Sequence, residues 1–237
     1  MPYCGAPPMP GSLWLRWNID PVVIVALVLL AGIHLARVGG RQRALAMTGW
    51  AVTALALLSP LCALSVSLFA ARVGQHMILI LIAAPLIAAG LPPPRDSRPL
   101  WPAVAAFTVF LWLWHMPAPY DATLHSDAVY WAMHISLFAS ALALWRALLP
   151  LGRRPMALVA AGTVASMQMA LLGAVLTFAG RPLFAWHYTT TQAWGFTPLA
   201  DQQLGGVLMW VPGAVLFLWL ALRTAAHAAR EQGAARA

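Results

Sequence analysis

Histidine and methionine adjoin at three places in this chain of 237 residues, and both side chains can bind soft metal ions. These places are His76-Met77, His115-Met116 and Met133-His134. Imidazole and thioether together suit copper, whereas imidazole alone would suit zinc or haem as well. Because neighbours on a helix point about 100° apart, the two members of one pair need not reach the same ion. The pattern therefore predicts a site in which His76 and His134 come from facing helices.

The predicted metal ligands are three histidines and three methionines, with Cu(I) as the expected ion. The set is His76, His134, His115, Met77, Met133 and Met209. Each member also has a simpler explanation. A histidine at the outer end of a membrane helix can act as an interfacial hydrogen-bonding group, and a methionine on an apolar helix can simply fill the core.

A second group of polar and aromatic residues is placed to support such a site. It consists of Gln75, Tyr120, Asp121, Tyr130, Asp201, Gln203 and Trp210. Tyr130 and His134 are four residues apart and therefore share one helix face. Asp121 could instead brace the proline-rich turn around it, and Asp201 could cap the helix that follows it.

The elements that carry these residues are long apolar stretches. The chain is 62% hydrophobic and 8% charged, with a mean hydropathy of +0.77, whereas soluble domains carry about a quarter charged residues. Seven segments approach the roughly 20 residues that a membrane-crossing helix needs: residues 20–36, 44–64, 75–90, 100–114, 128–148, 156–179 and 203–222. We therefore predict an all-α, polytopic integral membrane protein with seven transmembrane helices.

The arginines predict how these helices are oriented. Eleven of the 14 follow the first, third, fifth or seventh segment, and only Arg16, Arg72 and Arg181 lie on the other side. Since loops rich in positive charge stay in the cytoplasm, we expect the N-terminus outside a bacterial inner membrane and the C-terminus inside. Residues 1–18 would be a flexible periplasmic tail, residues 19–224 the seven-helix domain and residues 225–237 a cytoplasmic tail. His125 and His187 would lie in solvated outer loops.

Several classes of function are excluded by what the sequence lacks. The positive charge forms no basic face with interleaved aromatic residues, so nucleic acid is not expected as a partner. No GxSxG, HExxH or phosphate-loop motif is present, and we expect no catalytic activity. Cys4 and Cys62 have no metal-type spacing. We expect Cys62 to pack in the core and Cys4 to lie in the disordered tail, with a soft-metal site in that tail as the alternative.

Short motifs are spread over nearly the whole chain. They are Asp20-Pro21, Ser59-Pro60, the string from Gln75 to Gly90, Trp114-His115-Met116-Pro117, Tyr120-Asp121-Ala122, Leu172-Gly173-Ala174, Thr177-Phe178, Pro182-Leu183-Phe184, Asp201-Gln202-Gln203-Leu204-Gly205-Gly206 and Met209-Trp210-Val211-Pro212. In these motifs the chain resembles the seven-span CtaG family of cytochrome c oxidase assembly factors. The resemblance implies help in forming the copper centre of a haem-copper oxidase from the periplasmic face. It also implies a nascent oxidase subunit, membrane lipids and a periplasmic copper chaperone as partners.

The chain departs in two motifs from the pattern that this resemblance implies. Many relatives carry a histidine where this chain has Arg72. They also carry His-x-x-Glu-His where this chain has Tyr130 and Met133 ahead of His134. A methionine at position 133 would still favour Cu(I). Arg72 would repel a metal ion, and we expect it to bind an acidic partner surface or a lipid headgroup instead.

Three other functions stay open at this point. The protein could be a metal-free scaffold for a nascent oxidase subunit, with its histidines forming hydrogen bonds between helices. It could be a copper import or tolerance protein. It could also be a haem-binding electron carrier that uses His76 and His134 as axial ligands.

Overall fold

The computed structural model describes residues 1–92, 99–150 and 154–234, and every regular element among them is helical, as the sequence predicts. The α-helices are α1 (Pro21–Leu35), α2 (Gly40–Leu58), α3 (Leu61–Ser67), α4 (Phe69–Met77), α5 (Ala84–Gly90), α6 (Leu100–Trp114), α7 (Pro117–His125), α8 (Asp127–Leu148), α9 (Pro155–Phe178), α10 (His187–Thr190) and α11 (Pro198–Ala234). A π-helical segment, Ile78–Ala83, joins α4 to α5. Two short 3₁₀ helices are Pro10–Leu15 and Gln192–Trp194.

Four helical stretches of the described chain are long and apolar enough to cross a membrane: Phe69–Gly90, Asp127–Leu148, Pro155–Phe178 and Pro198–Ala234. Two bent pairs, α2 with α3 and α6 with α7, raise the number to six if each pair is one span. Helix α1 is apolar but has 15 residues, a length of about 22 Å against a hydrocarbon core of about 30 Å. Seven spans therefore remain a prediction.

Both bends occur at the residue before a proline. Ser59 precedes Pro60 and is extended, with φ −73° and ψ 171°, and Met116 precedes Pro117 with φ −74° and ψ 142°. The proline ring disfavours the helical conformation in the residue before it. The chain consequently turns by 47° between α2 and α3 and by 73° between α6 and α7.

The π-helical segment is explained by Pro85 in the first turn of α5. Within the segment the Ala84 N–H donates to the Leu79 carbonyl, five residues earlier. The next bond in this pattern would run from residue 85 to the Ile80 carbonyl, but proline has no N–H. The indole N–H of Trp145 donates to that carbonyl instead, at 2.7 Å, so α8 satisfies the group that the wide turn leaves unpaired.

Helix α11 packs along α9 and also contacts α4, and two glycines make its closest approach possible. A Cβ atom at Gly206 would lie 2.6 Å from the Gly173 carbonyl oxygen, and a Cβ at Gly205 would lie 2.6 Å from the Phe69 ring. Small residues let helix backbones meet closely in membrane proteins. The structure thus agrees with close packing at this glycine pair.

The N-terminal segment is attached to the helices by several contacts. Cys4 forms a disulfide with Cys62 of α3, a bond that the sequence analysis did not anticipate. The Tyr3 ring stacks on Tyr130 at 4.6 Å, and its hydroxyl donates to Asp20 at 2.6 Å. That hydrogen bond lowers the pKa of Asp20, while burial and the same carboxylate raise the pKa of Tyr3 to about 12. The prediction of a flexible tail over residues 1–18 did not foresee these contacts.

Some of the charged residues used to predict the orientation fall outside the part of the chain that the structure describes. These are Arg95, Asp96, Arg98, Arg153 and Arg236. Helix α11 continues to Ala234, so its last turns include most of the predicted cytoplasmic tail at residues 225–237.

The glycine contact between α9 and α11 gives a test of the packing. Replacing Gly206→Ala forces the two backbones apart, and we expect it to lower the free energy of unfolding by about 1–3 kcal/mol. The matched control is Gly233→Ala in the same helix, where nothing lies within 4 Å of an added Cβ. Thermal unfolding in detergent checks both variants. Equal melting temperatures for the two would contradict the close approach.

Candidate functional site

Helix α4 is held in place by a carboxylate from α11. The first N–H groups of a helix have no partner within the helix. Asp201 accepts the Phe69 N–H at 2.7 Å and the Ala70 N–H at 3.0 Å, and its side chain is fully buried. Asp201 therefore caps α4. The sequence prediction that it caps its own helix is wrong, because α11 already begins at Pro198.

The residue after Asp201 fixes the neighbouring loop. Gln202 accepts the Leu183 N–H at 2.6 Å and donates to the Leu176 carbonyl at 3.1 Å. The string from Asp201 to Gly206 thus caps α4, secures the chain leaving α9, and allows the close helix contacts described above. Gln202 was not among the predicted site residues, whereas the predicted Gln203 is only half-buried.

Three histidines from three helices meet in the interior. His76 lies near the end of α4, His115 follows α6, and His134 lies in α8; all three are buried. The His76 ring centre is 5.2 Å from that of His134 and 5.9 Å from that of His115. The sequence prediction that His76 and His134 face each other therefore agrees with this geometry.

The hydrogen bonds of these rings determine which nitrogens carry a free lone pair. The His134 Nδ1–H donates to the Tyr130 carbonyl at 3.0 Å, and the His115 Nδ1–H donates to the Leu111 carbonyl at 2.7 Å. Because a carbonyl can only accept, Nδ1 must carry the proton in each neutral ring, and Nε2 keeps its lone pair. Among the residues that the structure describes, Nε2 of His134 has no hydrogen-bond partner, and neither does Nδ1 or Nε2 of His76.

The free nitrogens of His76 and His134 are the donors that could hold a metal ion here. An ion about 2.0–2.1 Å from one nitrogen of each ring would lie about 3.2 Å from both ring centres, so the 5.2 Å between these centres requires an N–metal–N angle of roughly 110°. Over residues 1–92, 99–150 and 154–234, no three side chains of histidine, cysteine, aspartate or glutamate form a ready-made metal site. The pair alone does not give the linear geometry of a two-coordinate ion, and the third imidazole of the cluster is that of His115, whose ring centre is 5.9 Å from that of His76.

Arg72 is the largest obstacle to a cation at this place. Its side chain is fully buried, one helical turn before His76, so the expectation that it binds an acidic surface or a lipid headgroup is wrong. It donates from Nε to the Ser65 carbonyl at 3.3 Å and from Nη1 to the Thr123 hydroxyl at 2.6 Å. Within the described residues no carboxylate forms an ion pair with it.

Two tyrosines cover this buried charge. The Arg72 guanidinium carbon lies 5.3 Å from the centre of the Tyr120 ring and 5.8 Å from that of Tyr130. The negative face of an aromatic ring attracts a cation at such distances. The Tyr130 ring also lies 4.2 Å from His134. Tyr130 therefore connects the arginine with the histidine cluster.

His187 is buried, and the prediction that it is solvated is wrong. Its Nδ1–H donates to the Ser67 carbonyl at 3.2 Å, and its Nε2 accepts the Tyr120 hydroxyl at 2.7 Å. Burial, reinforced by the charge of Arg72, lowers the pKa of His187 to about 3. The neutral ring thus fixes the loop after α9 against α3 and α7.

The other predicted residues have less specific surroundings. Asp121 is exposed and lies 3.5 Å from the exposed His125, so it does not contact the histidine cluster. Gln75 donates to the Ala56 carbonyl at 2.7 Å and ties α4 to α2. Trp210 is half-buried. The methionines Met77, Met133 and Met209 all belong to the apolar core.

One family model matches the chain at residues 25–100 and 97–231, and it describes the cytochrome c oxidase caa3 assembly factors. The matched region includes every histidine of the cluster and the whole string from Asp201 to Gly206. No curated protein and no solved structure matches the chain.

The cap on α4 gives a test of how the site is positioned. Asp201→Ala leaves two buried N–H groups without an acceptor, and we expect a loss of about 1–3 kcal/mol in the free energy of unfolding. Asp201→Asn keeps one acceptor oxygen and should lose less. The control is Asp127→Ala, an exposed aspartate in the first turn of α8. Denaturation in detergent, with hydrogen exchange at Phe69 and Ala70, measures the effect; fully protected amides in Asp201→Ala would contradict the cap.

Proposed function

Because the chain belongs to the family of cytochrome c oxidase caa3 assembly factors, we propose that it carries Cu(I) for the copper centre of a haem-copper oxidase. His76 and His134 would hold the ion, with His115 beside them. The observation that supports this most is His76, a buried ring for which the described part of the chain offers no hydrogen-bond partner at either nitrogen. A buried polar group without a hydrogen bond costs about 1–3 kcal/mol, and a bound ion would remove that cost.

The chain's own residues prepare the rings for such a cargo. The Tyr130 and Leu111 carbonyls orient His134 and His115 with the Nε2 lone pairs free, as partners of metal-binding histidines commonly do. Three neutral imidazoles add no charge to the interior. Cu(I) accepts as few as two or three ligands and is a soft ion, so it suits a site where two rings are close and a third is near.

Arg72 would help the site to release its ion. A buried positive charge one turn from His76 repels a cation through a medium of low dielectric constant. Binding would consequently be weaker than three histidines alone would provide. An assembly factor has to hand its copper on, and weak binding favours that transfer.

The proposed orientation places this cluster near the periplasmic face of a bacterial inner membrane, with seven spans when α1 is included. The distribution of arginines supports an outer N-terminus. The disulfide between Cys4 and Cys62 supports the same side, since disulfides persist in oxidising compartments. The partner would be a nascent oxidase subunit, with a periplasmic copper chaperone supplying the ion, and the protein would act without catalysis.

A metal-free scaffold is the second candidate, and the buried Arg72 favours it. In that case the histidines would pack between helices, and the oxidase would acquire copper from elsewhere. Histidine variants that still fold would then leave the copper content of the oxidase unchanged. Under the copper proposal the same variants lower the copper content of the oxidase.

Anaerobic titration of the purified protein with Cu(I), against a coloured competing chelator, tests the ligands. We expect one equivalent bound by the disulfide form, and loss of that equivalent in His76→Ala and in His134→Ala. His125→Ala, which changes an exposed histidine, is the control and should bind as before. Stoichiometric binding that survives both substitutions would remove these two residues as ligands.

The role of Arg72 has its own test. Arg72→Gln removes the buried charge, and we expect Cu(I) to bind roughly tenfold more tightly, because a charge at this range contributes on the order of 1–2 kcal/mol. Arg72→Lys keeps the charge and should leave the affinity close to that of the original chain. The same titration measures both. Weaker binding in Arg72→Gln, with the fold intact, would show that the arginine does not oppose the ion.

A further inference from the structure

The disulfide between Cys4 and Cys62 lies in the wall of a surface cavity of about 420 Å³. Arg16, Asn18 and Asp20 are among the other residues that line this cavity. Cys4 is half-buried, whereas Cys62 is 1% exposed. Cys4 is therefore partly accessible from outside, and Cys62 lies against the interior.

The interior side of the same disulfide contacts the surroundings of the histidines. The Tyr130 hydroxyl lies 3.4 Å from the Cys4 sulfur and 3.7 Å from the Cys62 sulfur. The Tyr130 ring is 4.2 Å from the His134 ring, which is 5.2 Å from His76. A single side chain thus separates the cysteine pair, which faces the cavity, from the histidine cluster.

We propose that Cys4 and Cys62, in their reduced form, bind Cu(I) from the outer surface and pass it to His76 and His134. This inference rests on the proposed copper function and adds the place where the ion is taken up. Thiolate sulfur is a preferred ligand of Cu(I). The two Cα atoms are 5.5 Å apart, so both sulfurs reach one ion without a change in the backbone. The disulfide form, which has no thiolate, holds no copper at this place.

Opening the disulfide requires a dithiol reductant, such as a thioredoxin-like protein or a small dithiol. Its thiolate attacks the accessible sulfur of Cys4, and the bond to Cys62 breaks with Cys62 leaving as a thiolate. The second thiol of the reductant then displaces Cys4 and closes the reductant's own disulfide. Two electrons and two protons pass to the cysteine pair in total. Binding of Cu(I) then displaces protons from the thiols.

Two charged groups that line the cavity have opposite effects on the formation of a cysteine thiolate. The Arg16 guanidinium favours a thiolate, and the Asp20 carboxylate disfavours it. Asp20 is engaged by the Tyr3 hydroxyl and by the Val22 N–H, and these bonds disperse its charge. Arg16 has a hydrogen bond to the Ala6 carbonyl, which keeps its positive end near the Cys4 segment.

The N-terminal segment has anchors that do not depend on the disulfide. Tyr3 stacks on Tyr130 and donates to Asp20, and the Ser67 hydroxyl donates to the Pro8 carbonyl at 3.3 Å. These contacts hold Cys4 beside Cys62 after reduction. A cross-link with a purely structural role would leave copper binding independent of the redox state.

Counting copper in the two redox states of the full-length protein tests the proposal. The protein in detergent is titrated anaerobically with Cu(I) as isolated, and again after reduction and removal of the reductant. We expect one additional equivalent in the reduced state, and loss of that equivalent in Cys4→Ser and in Cys62→Ser. The proposal would be overturned if the original chain bound the same number of Cu(I) ions in both redox states. It would also be overturned if the additional equivalent survived in Cys4→Ser.

A second measurement uses the unaltered chain and stays informative if the serine variants do not fold. Reduced protein is treated with N-ethylmaleimide with and without Cu(I), and the added mass is determined. Protection of both thiols by Cu(I) is expected, and two labelled cysteines in the presence of Cu(I) would overturn the proposal. The variant with both His76→Ala and His134→Ala should keep this protection. In the original chain, protected thiols together with no Cu(I) bound by the disulfide form would contradict the proposed function alone. Unprotected thiols together with one equivalent bound by the disulfide form would contradict this inference alone.

Discussion

The contact between the Asp201 carboxylate and the first two N–H groups of α4 determines where the polar interior of this protein lies. The N–H groups belong to Phe69 and Ala70, which lie 132 and 131 residues before Asp201 in sequence. Gly205 lets α11 come close enough to α4 to make these hydrogen bonds. Helix α4 carries Arg72 and, one turn later, Gln75 and His76. A shift of its N-terminus would move all three relative to α6 and α8.

Two side chains of α4 have surroundings that are unfavourable for the stability of the fold. Within the described part of the chain, the buried cation Arg72 contacts carbonyl, hydroxyl and aromatic groups and no carboxylate, and the buried ring of His76 has no hydrogen bond. Either feature would be removed in a protein selected for stability alone. Their proximity is consistent with a site that binds a cation weakly.

Local patterns predicted the helices and the polar cluster, but not the partners across the bundle. Apolar length placed the helices, and the spacing of Tyr130 and His134 put both on one face. The burial of Arg72 and His187 could not be foreseen, because each depends on helices distant in sequence that close over it. The same holds for Asp201, whose position suggested a cap on its own helix. The sequence did not predict the disulfide between Cys4 and Cys62, because the composition of the N-terminal segment is typical of disorder.

X-ray absorption at the copper edge tests the central claim most directly, namely that buried imidazoles of His76 and His134 bind Cu(I). The sample is the disulfide form of the full-length protein loaded with one equivalent of Cu(I). The account predicts a first shell of two or three nitrogens with the multiple scattering of imidazole, and no sulfur. A shell made of methionine sulfur, or a protein that retains no copper while folded, would contradict it.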